Sequence, residues 1–175
     1  SFKYFVLKKN TAAAILSSSL LEEIAFDQPM IFLPADHLIG KIKEFNKALS
    51  FNTKYLNDDN IFIFAIKPKF PSSQYGYFIP KKNAKGINVV AKFIEKPDPK
   101  KAKQIIKKKG YWNSGILFAN KISIINNFSK YQNKTLNLCM QAVFNSIESK
   151  NLYFLSRRPF KKIMDKSFDY AILEK

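Results

Sequence analysis

Short, wholly apolar runs alternate with amphipathic stretches along this chain, and no other feature limits its possible folds as much. Met30–Leu33 and Ile61–Ile66 contain nothing polar, as expected of strands covered on both faces. Tyr4–Leu7, Tyr75–Ile79, Val89–Ile94, Ile116–Ala119 and Leu152–Leu155 are further strand candidates. Helical patterns lie between them. Asn10-Thr11 can cap a helix over Ala12–Ala25, with Ile15, Leu20, Leu21 and Ile24 on its apolar side. A helix opening near Asp36 carries Leu38, Ile42, Phe45 and Leu49 at spacings of 4, 3 and 4. Pro99–Lys109 (closed by Gly110), Ile122–Phe128, Leu136–Ile147 and the stretch from Pro159 onward are also helical. Repeated strand–helix alternation predicts an α/β domain with a largely parallel or mixed sheet flanked by helices. No repeat or long linker divides the chain, so one domain is expected over residues 1–175.

Composition narrows the function. At 46% hydrophobic and 15% aromatic the chain can build a core, which excludes disorder. A single cysteine (Cys139) and a single histidine (His37) exclude a disulfide framework and the common zinc sites. No apolar run approaches the ~18 residues of a membrane span, and no signal-peptide pattern opens the chain. A cytoplasmic setting is the expectation. The net charge of +17 suggests nucleic acid, but 28 of the 30 basic residues are lysine. Arginine is the residue that forks onto phosphate and guanine. Lys, Asn, Ile, Phe and Tyr make up 88 of 175 residues, and all five have codons built on A and T in their first two positions. Coding bias therefore accounts for much of the basicity, and a basic nucleic-acid-binding module is kept only as an alternative.

Ligands of open α/β sheets bind beyond the carboxyl ends of strands, so the residues that end the apolar runs are the candidates. Asp36 follows Met30–Leu33 and reads either as a magnesium ligand or as a helix N-cap. Glu95-Lys96-Pro97-Asp98 follows Val89–Ile94. It reads as a carboxylate and an ammonium for a sugar hydroxyl and a phosphate, or as a solvated turn. Trp112-Asn113-Ser114-Gly115 offers an amide that can read a sugar and a glycine that permits close approach, or is an ordinary turn. Tyr75-Gly76-Tyr77 lines a ring-binding surface or kinks a strand. His37 has no second ligand nearby and reads as structural.

Taken in order, Pro34-Ala35-Asp36-His37, Tyr75-Gly76-Tyr77, Glu95-Lys96-Pro97-Asp98, Trp112-Asn113-Ser114-Gly115 and Asp169-Tyr170-Ala171 with Glu174-Lys175 form a series. In order and approximate spacing it resembles the mannose-1-phosphate guanylyltransferase family of sugar nucleotidyltransferases. Asn10-Thr11-Ala12 looks like that family's Arg-Asn-Thr segment. The resemblance implies a Rossmann-like nucleotide-diphospho-sugar transferase fold, GTP and mannose 1-phosphate as substrates, and Mg2+ as cofactor. Residue by residue it implies a metal role for Asp36 and sugar or phosphate contacts for Gly76, Glu95, Lys96 and Asn113. Asn10 and Thr11 would lie near the nucleotide. Asp169 and Glu174 match a diagnostic segment without an assigned role.

The departures from the family pattern also carry expectations. The family's Gly-rich triphosphate loop has no counterpart among the five glycines, and its second metal-binding aspartate has none either. Gln74 replaces a usual glycine, and one residue is missing between Tyr111 and Trp112. The resemblance therefore implies an incomplete domain that is inactive alone, or a non-catalytic remnant that binds sugar or nucleotide weakly. It also implies an uncovered sheet edge, and hence a homo-oligomer or association with a separate N-terminal piece.

Overall fold

A computed structural model describes residues 3–4, 9–82, 88–149 and 152–175. Its main sheet is built on β6 (Tyr111–Asn120), a ten-residue strand. On one side β3 (Ile61–Ile66) runs antiparallel to it, from Ile61 opposite Ala119 to Ile66 opposite Trp112. Two strands share the other side. β2 (Pro29–Phe32) pairs with residues 117–120, and β4 (Tyr77–Lys82) pairs with residues 111–112. β5 (Asn88–Ile94) adds to β4. A separate three-stranded sheet orders β1 (Lys3–Tyr4), β8 (Leu152–Phe154) and β7 (Ile147–Ser149).

The α/β class is as expected, but the pairing is mostly antiparallel: only β1 and β8 run parallel among the described residues. For β4 and β5 the reason is the length of the connection. Parallel neighbours need a crossover of a dozen or more residues, and these strands are separated only by positions 83–87. Positions 83–87, and residues 5–7 of the first apolar run, lie outside the described residues.

Helix α1 (Asn10–Ser19) packs against α4 (Lys121–Tyr131) and α5 (Asn133–Phe144). Leu16, Phe128, Cys139 and Phe168 are buried at their junction. α1 is shorter than its apolar spacing predicts. The Ser18 and Ser19 hydroxyls donate back to the carbonyls of Ala14 and Ile15, bonds that compete with helix continuation. Beyond them the ammonium of the buried Lys121 donates to the carbonyls of Leu21 and Ile24 at 2.7 and 2.8 Å. A tertiary contact thus holds as turns a segment that periodicity reads as helix.

A second, smaller core joins α3 (Pro99–Lys107) to β4 and β6 through Tyr77, Ala102, Ile105 and Trp112. Asp98 caps this helix, accepting from the Lys101 N–H at 2.9 Å. Gly110 ends it under compulsion, since a Cβ there would lie 2.3 Å from the Ile105 side chain.

The other flank is thinly covered. α2 (Ile42–Thr53) begins six residues after Asp36 and buries no side chain, and Leu38, outside it, is 96% exposed. β2 and β3, read from sequence as covered on both faces, are only half-buried, because α2 reaches the sheet through little more than Phe45 against Phe64. Among the described residues β2 pairs only with β6 and leaves its other edge open. Ile147, expected in α5, lies in β7, and Arg157–Lys161 forms the short helix α6.

Candidate functional site

Three strand ends meet at one place. Gly76 precedes β4, Glu95 follows β5, and Asn113 is the third residue of β6. The segment Trp112–Gly115, read as a possible turn, is strand. Its register sets Asn113 against Gly76, whose carbonyl accepts from the Asn113 main-chain N–H at 2.8 Å. Gly76 is needed for contact: a Cβ would come 2.5 Å from Oε2 of Glu95 and 2.9 Å from the Phe93 ring. Lys96, next to Glu95, is exposed and turns the chain with a left-handed φ of 42°.

The C-terminal segment closes the site from the opposite side. Phe168 is buried against Phe128 and anchors it. A π-helical turn, Asp169–Leu173, follows, with the Glu174 N–H donating to the Asp169 carbonyl at 3.0 Å. Asn113 Nδ2 donates to the Asp169 carboxylate at 2.7 Å, and the Glu95 main-chain N–H donates to the Glu174 carboxylate at 3.2 Å. Sequence reasoning left these two acids without a role. The available signal was two carboxylates in one short segment, five positions apart, a spacing that fits no α-helical face.

Glu95, Asp169 and Glu174 put three carboxyl groups beside one ammonium, that of Lys96. Burial pushes the Glu95 carboxyl up to about 7, the charge of Asp169 adds to this, and Lys96 opposes it. Burial also raises Asp169, against the hydrogen bond from Asn113. At neutral pH the Glu95 carboxyl is thus poised between donor and acceptor. Beside it, the Asn113 amide keeps one N–H and one lone pair free among the described residues, because a carboxamide supports four hydrogen bonds and two are used. Such a set suits a ring bearing several hydroxyls.

A pocket of about 470 Å³ adjoins, between α1 and the open edge of β2, with Thr11, Ile15, Phe32, Pro34, Gly115 and Asp169 among its walls. Gly115 has φ +74°, and a Cβ there would approach Pro34 to 3.3 Å. The Thr11 hydroxyl accepts from the Phe168 N–H at 2.9 Å, so α1 and the π turn are tied. Asn10 is exposed, and its side chain accepts from the Thr11 N–H. Asp36 is exposed in a turn beyond β2 and caps no helix, which removes the N-cap reading. Tyr77 is buried, its hydroxyl bonded to Ser72, whereas Tyr75 stays 44% exposed against Trp112.

Among the described residues no three His, Cys, Asp or Glu side chains gather as a metal cage. A lone exposed carboxylate still fits magnesium, which binds through one or two carboxylates together with substrate phosphates. No helix among the described residues is long and apolar enough to cross a membrane.

The chain belongs to the nucleotidyl transferase family, whose profile matches residues 4–157. Over 95% of its length it is 30% identical to the alginate biosynthesis protein AlgA of Pseudomonas putida. It is likewise 30% identical to a mannose-1-phosphate guanylyltransferase of Escherichia coli. It spans 36% and 38% of those two proteins. Among solved structures it superposes on the Helicobacter pylori mannose-6-phosphate isomerase with a TM-score of 0.83 at 25% identity, covering 97% of this chain and 66% of that one. A Thermus thermophilus protein described as mannose-1-phosphate geranyltransferase gives 0.81 at 22%, covering 97% and 48%.

Proposed function

We propose that this chain carries the sugar-phosphate half of a guanylyltransferase-type site, which binds mannose 1-phosphate and the matching end of GDP-mannose. The carrying observation is the convergence of Gly76, Glu95 and Asn113 with Asp169 and Glu174. Asn113 and Glu95 contact sugar hydroxyls, and the exposed Lys96 faces the phosphate. Asp36 would hold magnesium, and the ion would supply charge neutralisation for phosphoryl transfer. Thr11, on the pocket wall, and Asn10 lie toward the nucleotide of GTP.

Binding and turnover separate in this reading. The five glycines form no glycine-rich phosphate-cradling run, and in this reading these residues alone bind without completing the transfer. Calorimetry with GDP-mannose and with mannose 1-phosphate tests the binding, and the absence of heat with both overturns it. Pyrophosphate release from GTP, mannose 1-phosphate and magnesium tests the second part, and robust turnover by this chain alone overturns that.

A further inference from the structure

We infer that Asp169 is a positioning residue that holds the Asn113 carboxamide in a single orientation toward the ligand, an inference that rests on the proposed sugar-phosphate site. An asparagine side chain has two nearly isosteric ends, and its neighbours decide which way it points. Here both ends are decided. The carboxylate of Asp169 only accepts hydrogen bonds, so the Asn113 Nδ2 must face it, at 2.7 Å. The main-chain N–H of Gly115 only donates, so Oδ1 must face that, at 3.1 Å. The backbone of Asn113 is fixed separately, by the bond to Gly76 at 2.8 Å. Among the described residues one N–H and one oxygen lone pair remain, each at a known end.

The π turn is the device that delivers Asp169. In an α-helix, residues i and i+5 point about 140° apart. The wider π turn, closed by the bond from the Glu174 N–H to the Asp169 carbonyl, brings the two acids nearer to one face. Asp169 reaches β6 while Glu174 reaches the main chain of Glu95. The π turn Asp169–Leu173 and its C-cap Glu174 therefore set Asn113, on β6, and Glu95, just past β5, relative to each other.

The test uses the full chain labelled with 15N. In the wild type the Asn113 side-chain NH2 pair is expected as two well-separated signals, one shifted by its carboxylate partner. Asp169→Asn keeps size but offers both an N–H and a carbonyl, so the pair should move and the separation should shrink. GDP-mannose binding should weaken roughly tenfold, as on loss of one charge-assisted bond. The thermal midpoint should stay close to that of the wild type, and Asp169→Glu should restore part of the amide shift. Unchanged Asn113 amide signals in Asp169→Asn overturn the inference. If the wild type binds neither GDP-mannose nor mannose 1-phosphate, the proposed function falls, while the amide signals still decide the role of Asp169.

Discussion

A methyl group placed on Gly76 would stand 2.5 Å from Oε2 of Glu95. The far end of a side chain can retreat from such a contact, but the Phe93 ring at 2.9 Å and the strand register leave it few directions. Gly76→Ala should therefore displace the Glu95 carboxyl. We expect a stability loss of about 1–3 kcal/mol and GDP-mannose binding weakened about tenfold by calorimetry. Unaltered affinity would show that this close approach serves packing only.

Stability should depend on pH through Glu95. Its folded carboxyl is raised from 4.5 to about 7, so the folded state binds its proton more tightly than the unfolded chain does. The resulting contribution is fully present below about 4.5 and is lost as pH rises through about 7. Glu95→Gln should flatten that slope and leave the protein about 1–2 kcal/mol more stable than wild type at neutral pH, the full shift being discounted for partial exposure. Thermal midpoints of both proteins measured across this range check it.

Lys121 should matter more than a surface lysine. Lys121→Met leaves the carbonyls of Leu21 and Ile24 without their donor. A loss of about 2 kcal/mol is expected, which for a chain of this size lowers the midpoint by about 5 °C. A midpoint within a degree of wild type would mean that water replaces the ammonium.

Cys139 should be inert in the native state. It is fully buried, and burial pushes its thiol up to about 11. Reaction with a thiol reagent should follow opening of the α1–α5 contact, and its rate should rise steeply with denaturant. Fast labelling of native protein would contradict this packing.

The open edge of β2 should make the chain associate. Leu33 is half exposed beside it and lines the pocket next to α1. Light scattering should show species above 20.2 kDa, and Leu33→Lys should shift them toward monomer, since charge at a strand edge opposes pairing. A monodisperse wild-type monomer would count against association.

Much of the fold was legible because strand and helix periodicities are local. β3 matches its apolar run from Ile61 to Ile66, and α3 lies where Pro99 and Gly110 bracket a helical pattern. The misreadings occur where distant groups intervene. Leu20–Ala25 has helical spacing but is held as turns by Lys121, about a hundred residues away. Trp112–Gly115 has turn-like composition yet is strand, because β3 and β4 pair with both sides of residue 112.

The site divides in the same way. Sequence alone determined the α/β class and marked Glu95, Lys96 and Asn113 as residues beside apolar runs with side chains suited to sugar and phosphate, while Gly76 joined them through the family resemblance. It also raised Asp36 as a carboxylate for a hard cation, and the structure leaves that residue exposed in a turn beyond β2. Only the tertiary structure decided that Asp169 and Glu174 belong with Asn113 and Glu95, and which end of the Asn113 amide faces which partner. The physical reason is range. Apolar periodicity acts between residues a few positions apart, whereas those contacts join residues 56 and 79 positions apart, through a π turn whose spacing no helical pattern announces.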